Sequence, residues 1–356
     1  MKLSFLILFC FVYNIAFTQL LHKRHVPGQP YNQFTIQAEQ VPDSVIFYLS
    51  EFQPEKKLPL LVFIQGSGNQ SLFRKEGDRK FATNYGHITW AYRAQGKVKV
   101  LIIEKPGIQY LDNQEVNATF DQRFSLASWV AYAEAAIHFV CRNEIIDSNR
   151  ILIAGHSEGG LVASRLAARM GSSVSHVAVI AGEGPSQLYS LNRLAEAGVF
   201  FDRPGFTAAD RIDSLSRTWK RILADPLSTE KKFWGFTYLR WSGFLSTSPQ
   251  EELNRFNGKI LILQGDADRN VYPESAHVLY SSLLAKGKEV ALQIIEGADH
   301  SFANIKRPDI NGWEEAAMNC IDWFLADTIK PVLIPIQSIS NVIPFYLGSS
   351  PFFFRP

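Results

Sequence analysis

Ile151-Leu-Ile-Ala-Gly155-His156-Ser157-Glu158-Gly159-Gly160-Leu161 places an apolar run, a G-x-S-x-G pentapeptide and the start of a helical pattern in that order. The bare pentapeptide arises by chance in unrelated chains, so its flanks carry the reading. A strand before it and a helix after it put Ser157 on a sharp turn. Glycines two before and two after the serine then let neighbouring backbone pass where side chains would clash. The plainer alternative is an ordinary glycine-rich turn, and the flanking strand and helix favour the former.

Short runs rich in Val, Ile and Leu recur along the chain, at Leu60 to Ile64, Val98 to Ile103, Ile151 to Ala154, Val177 to Ala181, Ile260 to Leu263 and Val290 to Ile295. Near-continuous apolar strands indicate a sheet buried on both faces, hence mostly parallel. Helical patterns lie between them, clearest at Phe124 to Ile146, Leu161 to Met170 and Trp313 to Ala326. The alternation predicts a doubly wound α/β domain. Phe34 to Ala38 and Val45 to Leu49 alternate polar and apolar residues, as antiparallel edge strands would. From about 185 to 257 the strand signal stops, and helical patterns run between breakers such as Arg203-Pro204-Gly205. This predicts an inserted helical lid. Its aromatics, among them Phe200, Phe201, Trp219, Phe233, Trp234 and Trp241, invite a substrate-pocket reading, with packing as the default.

The 356 residues, 46% hydrophobic and 13% aromatic, suffice for a large core. A formal charge of +2 gives no field that calls for nucleic acid or an anionic membrane. Met1-Lys2 followed by apolar residues to Phe17 reads as a signal peptide over residues 1–18, removed on export. About fifteen apolar residues at ~1.5 Å each fall short of a ~30 Å bilayer core, so no stable span is expected after cleavage. The mature domain is expected over residues 19–330, secreted or periplasmic, followed by a proline-bearing tail, 331–356, to which the pattern assigns no structure. His22-Lys23-Arg24-His25 reads as a solvated terminus. Cys141 and Cys320 are too few and too far apart for a disulfide framework or metal cluster, and read as buried apolar side chains. The sequons at Asn69 and Asn117 carry no weight.

A serine hydroxyl is a poor nucleophile near neutral pH. It needs a histidine to take its proton and a carboxylate to hold that histidine. His300, one of eight histidines, follows the last strand in Glu296-Gly297-Ala298-Asp299-His300, and Asp266 and Asp268 follow the strand before it. Ser, Asp and His thus fall in that chain order at strand ends, where a parallel sheet forms its crevice. Two backbone amides are needed for an oxyanion. Glu158 supplies one, and Gln65-Gly66-Ser67-Gly68, after the strand at Leu60, supplies the other through Ser67 or the adjoining Gly68. No G-x-G-x-x-G or P-loop follows a strand, which excludes nucleotide chemistry, and no metal or organic cofactor is expected.

With Gly-His-Ser-Glu-Gly-Gly, Gly-Asp-Ala-Asp and Asp-His-Ser-Phe in place, the chain resembles the α/β-hydrolases, in their esterase, dienelactone-hydrolase and prolyl-oligopeptidase branch, from about Leu58 to Ala326. The resemblance implies the α/β-hydrolase fold, a lid after the sixth strand, and a triad of Ser157, Asp268 and His300. In it the acid stands three residues before a valine, which prefers Asp268 to Asp266, with Asp299 and Glu296 as weaker substitutes. Gln65 departs from the histidine that many relatives carry there. The expected activity is hydrolysis of small carboxylic esters through an acyl-enzyme. One rival is a serine peptidase, for which Glu183 is a candidate ammonium anchor. The other is a binding protein on the same fold. Only about forty residues separate the expected cleavage site from the first core strand, too few for the β-propeller of oligopeptidases.

Overall fold

In the computed structural model, which describes residues 18–77, 80–114, 117–304 and 306–326, the strand Leu58–Ile64 lies at the centre and its side chains are buried on both faces. The first seventeen residues of the expected signal peptide and the tail 331–356 lie outside the described residues. Naming the sheet strands in chain order gives β1 Thr18–His25, β2 Tyr31–Ala38, β3 Val45–Ser50, β4 Leu58–Ile64, β5 Lys99–Ile103, β6 Ile146–His156, β7 His176–Ile180, β8 Lys259–Gly265 and β9 Val290–Ile295. They form one sheet in the order β1-β2-β3-β5-β4-β6-β7-β8-β9. Pairings among β1, β2, β3 and β5 are antiparallel, and the remainder of the sheet is parallel.

Alternation along each strand separates two cores. Leu60, Val62, Ile64, Leu101 and Ile103 face one layer. It is built from α3 (Leu126–Asn143), α4 (Gly159–Met170) and α9 (Pro273–Ala285). Leu61, Phe63, Val100 and Ile102 face the other, built from α1 (His87–Arg93) and α10 (Gly312–Leu325). A strand buried on both sides needs apolar residues at every position, which is why the run Leu-Pro-Leu-Leu-Val-Phe-Ile reads as continuous rather than alternating. Cys320 is buried in the second core, and Cys141 packs half-buried against the first; both are free thiols.

Several boundaries differ from the sequence reading. His22 to His25 is not a loose terminus: it belongs to β1, whose backbone pairs with β2 from Thr18↔Ala38 to His25↔Asn32 while most of its side chains stay exposed. The helix expected over Phe124 to Ile146 is shorter. Ser125 caps it, its hydroxyl accepting from Ser128 N–H while the Ser128 hydroxyl accepts from Ser125 N–H. Glu144 turns extended at the other end, so Ile146 opens β6 instead. Asn117, a sequon residue, is buried as the cap of α2 (Ala118–Arg123) and accepts from Phe120 N–H at 2.9 Å.

The stretch between β7 and β8 contains α5 (Leu188–Glu196), α6 (Ala208–Ala224), α7 (Tyr238–Leu245) and α8 (Pro249–Leu253). It also holds an unforeseen hairpin, Lys232–Phe233 against Phe236–Thr237. Its turn is Trp234-Gly235, both at positive φ (45° and 80°), the backbone that two-residue hairpins need. Two residues per strand are too short for a period-2 signal. Leu191, Leu215, Ile222, Tyr238, Trp241 and Leu245 give the insertion its own core, with Phe200, Phe201, Trp219 and Phe233 against it. Among the described residues no helix is long and apolar enough to cross a membrane.

His87 is fully buried between Tyr31 and Phe73, and burial drives its pKa from 6.5 down to about 3. A group depressed in the folded state stabilises fully above its unfolded value and loses that contribution as pH falls through the folded one. Unfolding free energy should therefore drop between pH 6.5 and about 3, by at most ~1.4 kcal/mol per pH unit from this residue. In chemical denaturation across that window, His87→Met should flatten the slope; an unchanged slope would assign the dependence elsewhere.

Candidate active site

The register of the parallel strands brings their carboxyl ends level. His156 pairs with Ile180, Ile180 with Leu263, and Leu263 with Gln293, while Ile64 of β4 lies beside Gly155. Loops leaving β4, β6, β8 and β9 therefore open onto one edge. Ser157, first after β6, stands in the left-handed region at φ 55°. Its N–H donates to Ile180 O at 2.8 Å, and its carbonyl accepts from Gly160 N–H at 2.9 Å. The turn closes so tightly that a Cβ on Gly155 would run into the Gly159 carbonyl, and one on Gly159 into the Ile64 carbonyl and to 2.6 Å from that of Gln65. That is the physical content of the two glycines.

His300 Nε2 lies 3.0 Å from Ser157 Oγ, and His300 Nδ1 lies 2.8 Å from Asp268 Oδ2. A carboxylate only accepts, so Nδ1 carries the proton and Nε2 is left to accept from the serine hydroxyl. Asp268 is buried, and its oxygens also take N–H groups from Asn270 (2.8 Å), Val271 (2.9 Å) and the Gln264 side chain (2.9 Å). Burial alone pushes this carboxyl up. The His300 hydrogen bond and charge, with the two backbone amides, outweigh it and hold the group below the ordinary carboxylate value. The valine amide gives a physical reason for an acid three residues before a valine. The alternative carboxylates do other work. Asp266 is exposed and accepts from Gly297 N–H at 2.5 Å; Asp299 accepts from Ser301 and Ala303 N–H, both at 2.9 Å; Glu296 pairs with Lys306 at 2.7 Å.

His156, beside the serine, is half-buried, and desolvation with the charge of His300 lowers its pKa to about 4. Neutral, it donates from Nε2 to the His300 carbonyl at 3.0 Å and props the loop that carries that ring. Gly66 abuts the serine: a Cβ there would come within 3.1 Å of Ser157 Cβ. Ser67 follows it on the same loop, and Glu158 stands at the N-cap of α4, where amides lack acceptors within the helix. Gln65 is buried and donates to Ile103 O at 3.1 Å, fastening the loop to β5.

Residues 63–310 match the family model described as the alpha/beta hydrolase family. The chain belongs to that family. No curated protein sequence matches it. Among solved structures, it is similar to the acylaminoacyl peptidase of Pyrococcus horikoshii (16% identity, TM-score 0.56, covering 83% of this chain and 41% of that one). It is also similar to Est1E from Butyrivibrio proteoclasticus (15%, 0.50, 82% and 98%) and to a puromycin-hydrolyzing peptidase of Mycobacterium tuberculosis (16%, 0.52, 82% and 38%). This α/β hydrolase thus spans less than half the length of both peptidases. At such identities the likeness is one of fold.

The cleft of this hydrolase, about 380 Å³, is lined by Gly66, Ser67, Tyr85, Gly86, His156, Ser157, His300, Ser301 and Trp313. Among the described residues that line it, none comes from the helical insertion. Of the two readings of the insertion aromatics, packing fits Trp241, which is 1% exposed and donates to Phe233 O inside the insertion's own core. Tyr85 and Trp313 are the aromatic walls, joined to the site from α1's approach and α10, far from the motifs in sequence. Glu183 is buried too, accepting from Ser275 Oγ at 3.2 Å, and burial raises its pKa to about 8. It does not line the cleft.

The closeness of the turn predicts that Gly159→Ala destabilises by about 3 kcal/mol or more, read by chemical denaturation, since the colliding atoms are backbone and cannot rotate away. A change under ~0.5 kcal/mol would contradict this account of the turn.

Proposed function

We propose that this hydrolase is a serine esterase acting on small carboxylic esters, with Ser157 as nucleophile, His300 as general base and acid, and Asp268 as the group that orients and stabilises the imidazolium. The observation that carries the reading is the line from Ser157 Oγ through both His300 nitrogens to Asp268, at 3.0 and 2.8 Å. His300 Nε2 takes the hydroxyl proton as Ser157 Oγ bonds to the ester carbon, and the carbonyl electron pair moves to oxygen. The Ser67 and Glu158 amides receive that oxyanion. Collapse expels the alcohol, which His300 protonates, and water repeats the cycle on the acyl-enzyme. The leader read in residues 1–18 supports export of the enzyme.

The ester reading rests on what surrounds the cleft. A peptidase that captures a free ammonium needs an accessible carboxylate, and Glu183 is buried away from the cleft, with its carboxyl pushed towards the neutral form. The aromatic walls at Tyr85 and Trp313 suit a compact apolar acyl or alcohol group.

With p-nitrophenyl acetate, Ser157→Ala and His300→Ala should each lower kcat by about 10⁴-fold or more, and Asp268→Asn by ~10²–10⁴-fold. Asp266→Asn should leave it within a few-fold; equal damage at both aspartates would reassign the acid. Glu183→Gln should leave ester kcat/KM close to that of the parent, whereas efficient aminoacyl-anilide cleavage that collapses in this variant would establish the peptidase instead. Trp313→Ala should shift acyl-chain preference more than Phe233→Ala does, and the reverse order would return specificity to the insertion.

A further inference from the structure

Three charged side chains near the nucleophile have no part in the proton relay. Lys105, just beyond β5, is buried, and its Nζ donates to the carbonyls of Gly66 at 2.6 Å and Gly68 at 2.7 Å, the residues on either side of Ser67. Arg240 of α7 is buried and donates from Nη2 to Glu158 Oε2, both side chains being almost wholly enclosed. Its guanidinium lies 4.0 Å from the Phe236 ring centre and 4.1 Å from that of Trp241. Glu158 and Arg240 both act on the charge of Lys105, so the three form one cluster.

The geometry points to Lys105 and Arg240 as positioning residues that aim the two oxyanion amides and tie them to the helical insertion. A peptide unit is planar and trans, so its N–H points opposite its C=O. The Ser67 N–H shares its plane with the Gly66 carbonyl. Anchoring that oxygen on Lys105 fixes the direction of the amide, and the second bond, to Gly68, stops the loop from rolling. On the other side, the Glu158 N–H shares its plane with the Ser157 carbonyl, already held by Gly160 N–H. Arg240 grips the Glu158 side chain, so the residue that carries the amide is held from the insertion as well. Burial lowers the Lys105 pKa to about 7, with Arg240 pushing it further down while Glu158 and Glu104 oppose the fall. A buried ion pair is a poor device for stability alone, because desolvation offsets most of its attraction. A role in aiming the amides is one that apolar packing cannot supply.

This inference rests on the esterase reading, and the experiment separates the two. Lys105→Met, Arg240→Met, Arg240→Lys and the double variant Glu158→Gln/Arg240→Met are compared with the parent in p-nitrophenyl acetate kinetics and in inhibition by phenyl trifluoromethyl ketone. Ser157 adds to that ketone reversibly to give a tetrahedral oxyanion. Loss of an oxyanion donor outright costs about 10²–10³ in kcat, so misaiming one should cost ~10–100-fold. The expected pattern for Lys105→Met and Arg240→Met is that fall in kcat with KM within about twofold, and a matching loss of ketone affinity. Arg240→Lys, which keeps the charge, should recover most of it. The double variant removes both members of the Arg240–Glu158 pair, so neither is left buried without the other, and it should regain thermal stability relative to Arg240→Met without regaining kcat. A stable double variant with parental kcat, or losses confined to KM, would overturn the positioning role while leaving the triad untouched. A parent inert to the ester and the ketone alike would remove the esterase reading and this inference with it.

Discussion

Backbone holds residue 157 in a left-handed conformation that a serine does not choose, and the rest of the site is arranged around that turn. Ser157 stays at φ 55° because its N–H is taken by Ile180 O, its carbonyl by Gly160 N–H, and the glycines at 155 and 159 let β4, β6 and α4 converge. The strain aims a hydroxyl out of the sheet edge, where a helix start supplies amides and two later loops bring an imidazole and a carboxylate. Relaxing the turn would separate Oγ from Nε2 and Glu158 N–H from any oxyanion together.

The sheet sets the distances that the turn then uses. Level carboxyl ends on β4, β6, β7, β8 and β9 mean that each loop needs only a few residues to reach the serine. Asp268 is anchored by three N–H donors besides His300, so it cannot swing, and the ring of His300 inherits that rigidity. Lys105 and Arg240 extend the same logic to the backbone donors. Lys105, Glu158, Arg240 and Asp268 are buried charges that lie where orientation matters to the proposed chemistry.

Much of this was legible in the sequence because continuous apolar strands and a glycine-flanked serine leave local signals. Six core strands, the order of Ser157, Asp268 and His300, and the loop at Ser67 could be read from short windows. Choosing Asp268 over Asp266 needed a family resemblance, since two aspartates on one loop differ only in which amides they meet. What escaped was long-range. Thr18–His25 leaves most of its side chains exposed, Leu20 and Leu21 among them, and became a strand through backbone pairing with β2. Tyr85 and Trp313, 228 positions apart, meet only across the fold. Arg240 carries no signal in the sequence, since nothing local tells a buried guanidinium from a solvated one. The insertion's aromatics attracted a pocket reading by their density, yet most of them fill a core within the insertion, and Phe244 packs into the main one.

The central claim is that Ser157 is an activated nucleophile, and the most direct measurement is covalent labelling by a fluorophosphonate with the modified residue located by peptide mass spectrometry. The account predicts one label per chain, on Ser157, lost in His300→Ala. An unlabelled folded protein, or a label that persists elsewhere when His300 is removed, would contradict it.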